Sequence, residues 1–85
     1  MVRLSSTDIT DAVNAVEAAR RDMGRGFFWY TLEDGSIVVR DNGLTDTGYM
    51  NLAVLTRKRI NLSTWFVVYR PEHNCLLIEA REKNT

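Results

Sequence analysis

Cysteine, proline and histidine each occur once in the 85 residues, as Cys75, Pro71 and His73. A lone cysteine excludes an intramolecular disulfide and fits a reducing compartment, so a cytoplasmic location is expected. One histidine and one cysteine also leave a zinc site short of its four donors. Long hydrophobic runs are missing: none approaches the ~18 residues that a membrane helix needs. Residues 1–6 lack the apolar core of a secretory signal, so none is expected. Net charge is absent as well, because 11 basic residues balance 11 acidic ones. No overall field therefore draws the chain toward nucleic acid or an anionic membrane.

What is present is ordinary for a globular protein: 45% hydrophobic and 26% charged residues. That balance argues against disorder. A chain of this length suits one domain spanning 1–85, with a thin core that buries about 60–65% of the unfolded surface.

The spacing predicts a helix over residues 7–23. Ser5, Ser6 and Thr7 offer capping oxygens, and Asp8 and Asp11 place negative charge where the helix dipole favours it. Ile9, Ala12, Val13, Val16, Ala19 and Met23 form one apolar stripe. Glu17 is placed to pair with Arg21, and Gly24 supplies a left-handed stop.

Two hairpins are expected. Residues 27–32 and 37–40 are rich in aromatic and β-branched residues and flank Asp34-Gly35, which reads as a two-residue turn. That turn pairs Leu32 with Ile37, Tyr30 with Val39 and Trp29 with Arg40. One face then carries Phe28, Tyr30, Leu32, Ile37 and Val39; the other carries Phe27, Trp29, Thr31, Val38 and Arg40. Residues 64–70 and 75–81 flank the turn Pro71-Glu72-His73-Asn74. Pairing across it puts Trp65, Val67, Tyr69, Leu76, Ile78 and Ala80 on one apolar face, and Phe66, Val68 and Leu77 among charged residues on the other. Residues 82–85 read as a polar tail.

Residues 41–63 carry two signals. Residues 49–56 alternate like a strand, with Met50, Leu52 and Val54 on one side, but residues 50–59 are also good helix formers that Thr47 could cap. The strand gives an N-terminal helix packed on one face of a four- to five-stranded antiparallel sheet, built as a meander. The helix gives two helix–hairpin units in series, αββαββ. Either is an α+β domain.

Candidate sites are few. Arg25-Gly26-Phe27 with Trp29 looks like the aromatic strand of RNA-recognition domains, but Phe28 and Tyr30 stand where small or aliphatic residues belong, and only one helix precedes it. Arg57-Lys58-Arg59 is the one basic cluster and is the nucleic-acid candidate. Glu72, His73 and Cys75 lack the further donors or orienting group that a metal or a nucleophile requires. Residues 41–46 lack the acidic spacing of a calcium loop. No catalytic residue, metal, cofactor or small-molecule substrate is expected, so the chain reads as a non-enzyme.

The informative feature is a sheet apolar on both sides beside a helix with one stripe. A sheet face in water shows clean alternation of apolar and polar residues, and monomers seldom leave large apolar patches uncovered. The face left over, with Phe27, Trp29, Phe66 and Val68 edged by Arg40 and Arg70, has the composition of a protein interface. The expected function is a non-enzymatic protein-binding module. It would be a small adaptor or inhibitor, of the accessory or phage-encoded kind, docking that face on a larger protein or on a second copy as a homodimer. A nucleic-acid-binding module using the strand aromatics and residues 57–59 is the alternative. Both readings depend on residues 47–59 not forming a helix that covers the face.

Overall fold

Ser5 starts the first helix, α1 (Ser6–Met23), by a reciprocal cap: its Oγ accepts the Asp8 N–H at 3.1 Å, and the Asp8 carboxylate accepts the Ser5 N–H at 3.2 Å. Gly24 ends it at φ 69°, donating its N–H to the Arg20 and Arg21 carbonyls, a conformation that costs glycine little. The computed structural model describes residues 5–24 and 26–81. Arg25, the N-terminal signal reading and the polar tail lie outside them. Among α1 side chains, Ala12, Ala15, Val16 and Ala19 are buried. Glu17 pairs with Arg20 at 2.9 Å, one position short of the expected Arg21.

The elements that follow are β1 (Phe28–Thr31), β2 (Ile37–Arg40), α2 (Asp46–Arg57), β3 (Trp65–Arg70), a 3-10 turn at Pro71–His73, and β4 (Cys75–Ala80). Residues 46–57 are thus a helix, and the strand reading of this segment is overturned. The cap is Thr45, not Thr47: its Oγ1 accepts the Gly48 N–H at 3.1 Å. The stripe that decides the matter is Tyr49, Leu52, Ala53 and Thr56, all buried, whereas Met50 and Val54 of the supposed strand face are exposed. The chain is an α+β fold of αββαββ order. Its four antiparallel strands run β1-β2-β4-β3, so β4 sits between β2 and β3 and the sheet is not a meander.

The β3–β4 register matches expectation, with Trp65 opposite Ala80, Val67 opposite Ile78 and Tyr69 opposite Leu76. The β1–β2 register differs by one residue: Phe28 faces Arg40, Trp29 faces Val39, and Tyr30 faces Val38. The loop holds three residues, Glu33-Asp34-Gly35, closed by Gly35 N–H to Leu32 O at 3.0 Å and Leu32 N–H to Ser36 O at 2.7 Å. Gly35 sits at φ 90° as the bulge residue that completes such a loop. A slip of one residue moves every side chain of a strand to the other face. Phe27 and Trp29 therefore lie on the side of Ile37 and Val39, and Phe28 and Tyr30 on the opposite side.

Both helices pack on that first side. Ala12, Val16, Tyr49, Leu52, Ile37, Val39, Trp65, Leu76 and Ile78 are among the buried residues of one core, with Phe27 and Trp29 packed against it. Tyr49 ties the layers together. Its ring stacks on Tyr69 with centroids 5.0 Å apart. Its hydroxyl accepts the Asp41 N–H at 3.0 Å and donates to Asn74 O at 2.8 Å. The second helix thus docks beside the first, and no described element covers the far side of the sheet.

Candidate functional site

Alternation along each strand determines what the uncovered face presents. Its middle row is apolar across all four strands: Tyr30 on β1, Val38 on β2, Leu77 on β4 and Val68 on β3. Toward the β3–β4 turn the next row holds Phe28, Arg40, Cys75 and Arg70. Toward the opposite end, Glu79 pairs across to Phe66, and Leu32 follows β1. Phe28 is 64% exposed, Leu32 45% and Phe66 41%. The Phe28 and Tyr30 rings lie 5.7 Å apart. Val38 and Cys75, on the two central strands, are buried at 6% exposure.

The charged residues of this face are not equivalent. Arg81 is occupied: its guanidinium lies 3.7 Å over the Phe66 ring, and its Nε donates to Leu62 O at 2.5 Å. Arg70 reaches Glu72 only at 4.0 Å, with both side chains about half exposed, a contact of little energetic worth. Arg40 and Glu79 make no ion pair among the described residues. Among the described residues, then, Arg40 at one end and Glu79 at the other lack an ion pair, Arg70 beside Arg40 has only the long contact to Glu72, and Arg81 at the Glu79 end is engaged by Phe66 and Leu62.

Of the residues expected here, Phe66, Val68, Arg40 and Arg70 do share this face. Phe27 and Trp29 do not, and the register is the reason. Trp29 turns toward α1, where its Nε1–H donates to Glu17 Oε1 at 2.8 Å. That bond, with Arg20 beside it, holds the Glu17 carboxyl below its usual pKa. The aromatics the sequence reading missed on the face are Phe28 and Tyr30. The signal that could have placed them is Gly35 read as the third residue of a Glu33-Asp34-Gly35 loop.

The basic cluster is dispersed. Arg57 Nη2 donates to Val67 O at 2.7 Å, on the outer edge of β3, and Arg59 pairs with Asp22 at 2.7 Å. Lys58 lines a cleft between α1 and the segment that follows α2, together with Asp11, Asn14 and Arg21. This cleft, about 570 Å³, is wide open and largely polar. Together with the Trp65 N–H to Asn61 O bond at 3.0 Å, the Arg57 contact occupies backbone groups on the β3 edge and discourages strand addition there.

The remaining candidates are structural in their contacts. Asp41 closes a turn by accepting the Gly43 N–H at 2.8 Å. Asp46 accepts the Tyr69 hydroxyl, which pushes the Tyr69 pKa up to about 12. His73 is exposed in the 3-10 turn, while Cys75 is buried in β4. Among the described residues no group of three or more His, Cys, Asp or Glu could hold a metal ion, and no helix is long and apolar enough to cross a membrane. The chain matches no family model, no curated protein and no solved structure.

Proposed function

We propose that this protein is a non-enzymatic protein-binding module, an adaptor or inhibitor that acts in a reducing compartment through the uncovered face of its sheet. One observation carries the reading: both helices lie on the same side, and the other side exposes Phe28, Leu32 and Phe66 around a middle row of Tyr30, Val38, Leu77 and Val68. A sheet face left to water alternates polar with apolar residues, and this one does not. An apolar centre with aromatic anchors and an arginine rim is the composition of protein interfaces. The nucleic-acid reading has less to support it: Trp29 donates to Glu17 on α1, Arg57 donates to the Val67 carbonyl, and Arg59 pairs with Asp22.

The test is photocrosslinking in the native host, with benzoylphenylalanine placed at Tyr30 or Phe66 and, as control, at Asn51 on the exposed side of α2. The reading expects a discrete protein adduct from the face positions and none from Asn51. Absence of any protein adduct from Tyr30 and Phe66, with the variants folded and expressed, overturns it.

A further inference from the structure

Among the described residues Arg40 and Glu79 make no ion pair and Arg70 makes only the 4.0 Å contact with Glu72, and these charges match each other across a two-fold axis. We infer that the sheet face is closed by a second copy of the same chain, packed face to face; this rests on the reading of that face as a protein interface. If the axis lies between two sheets and runs across the strands through the apolar middle row, β4 of one copy lies over β4 of the other in antiparallel sense. Because Glu79 stands two rows from Cys75 on the same strand, the Glu79 carboxylate of one copy then falls over Cys75 of the other. There it sits between the Arg40 and Arg70 guanidiniums that flank Cys75. The relation is reciprocal, as an isologous interface requires. The strand directions agree with aligned sheet packing, at a crossing of about −30°.

Size sets the strength. β1 and β2 have four residues each and β3 and β4 six, so at ~4.8 Å spacing and ~3.4 Å per residue the face covers roughly 330 Å². That is below the about 800 Å² per partner of a standard interface and belongs with weak, transient contacts, so the dimer is a reversible one.

The experiment is light scattering on the full chain from about 1 to 500 μM, with two charge variants. The wild type is expected to pass from one chain mass to two across the micromolar range. Glu79→Lys places a cation between two arginines, and Arg40→Glu with Arg70→Glu places carboxylates around Glu79. Each is expected to raise the dissociation constant at least tenfold while circular dichroism stays native. Mixing the two variants is expected to recover a dimer of one copy of each, because only the mixed pair juxtaposes opposite charges at both ends. A wild type that stays monomeric to 500 μM overturns the inference, as does a dimer indifferent to both variants or a mixture that fails to recover. A monomeric wild type that still crosslinks a larger protein from Tyr30 would overturn the second copy alone. Loss of every crosslink would overturn the binding reading beneath it.

Discussion

The indole of Trp29 donates to Glu17 on the helix-covered side of the sheet, while the ring of Phe28, one residue earlier, stands 64% exposed on the other. This pair yields opposite expectations for two similar truncations. Trp29→Ala removes packing from the core margin and a hydrogen bond, and should lower unfolding free energy by about 2 kcal/mol. Phe28→Ala should stay within about 0.5 kcal/mol of wild type in urea unfolding of the dilute chain. The reverse order would restore the register in which Trp29 faces solvent. A second residue-scale expectation concerns pH. Tyr69 ionises at about 12 in the folded chain because ionisation breaks its bond to Asp46, against a usual value of 10.0. A folded pKa above the unfolded one gives stability that is complete below pH 10 and is lost as pH climbs from 10 through 12. In a tyrosinate absorbance titration, Asp46→Asn should bring one tyrosine's midpoint down toward 10; an unchanged curve would contradict the contact.

At the scale of elements, the parts legible in the sequence were those set by local chemistry. Ser5, Asp8 and Gly24 mark α1 by capping. The β3–β4 register follows from reading Pro71-Glu72-His73-Asn74 as the turn. The β1–β2 hairpin was misread by one residue because Asp34-Gly35 is itself a good two-residue turn, and only the placement of Gly35 at positive φ distinguishes the longer loop. That single residue decided which aromatics were assigned to the candidate site. For α2, Tyr49 to Thr56 satisfies both periodicities, and packing of Tyr49 and Leu52 under the sheet settled it. Four of the six residues expected on the candidate face do lie on it, because they sit on strands whose alternation was read correctly or, in the case of Arg40, because the slip moved β1 and not β2. The loop assignment carries its own test. Glu33 occupies the second position of the four-residue turn from Leu32 to Gly35, where proline is favoured, so Glu33→Pro should be neutral or stabilise by about 0.5 kcal/mol. With a two-residue loop, Glu33 would be a paired strand residue. A loss above about 1 kcal/mol in thermal or urea unfolding would point to that register instead.

At the scale of the whole molecule, the arrangement is two αββ units whose helices share one side of a four-stranded sheet. The resulting asymmetry is the central fact: one side buries Trp65, Tyr49 and Leu76 completely, while the other leaves Phe28, Leu32 and Phe66 in water. The chain balances its charges in total, yet on the uncovered face Arg40 and Arg70 stand at one end, and Glu79 stands at the other beside an Arg81 already held by Phe66 and Leu62. Burying that face against a second copy satisfies both the apolar surface and the charges, without a new element in the fold. The most direct measurement is hydroxyl-radical footprinting of the aromatic side chains at low and high protein concentration, read residue by residue by mass spectrometry. The account predicts that Phe28, Tyr30 and Phe66 are labelled in the dilute chain and protected in the concentrated one, with Trp29 and Trp65 weakly labelled and unchanged. Strong labelling of Trp29, or labelling of Phe28 and Phe66 that is indifferent to concentration, would contradict it.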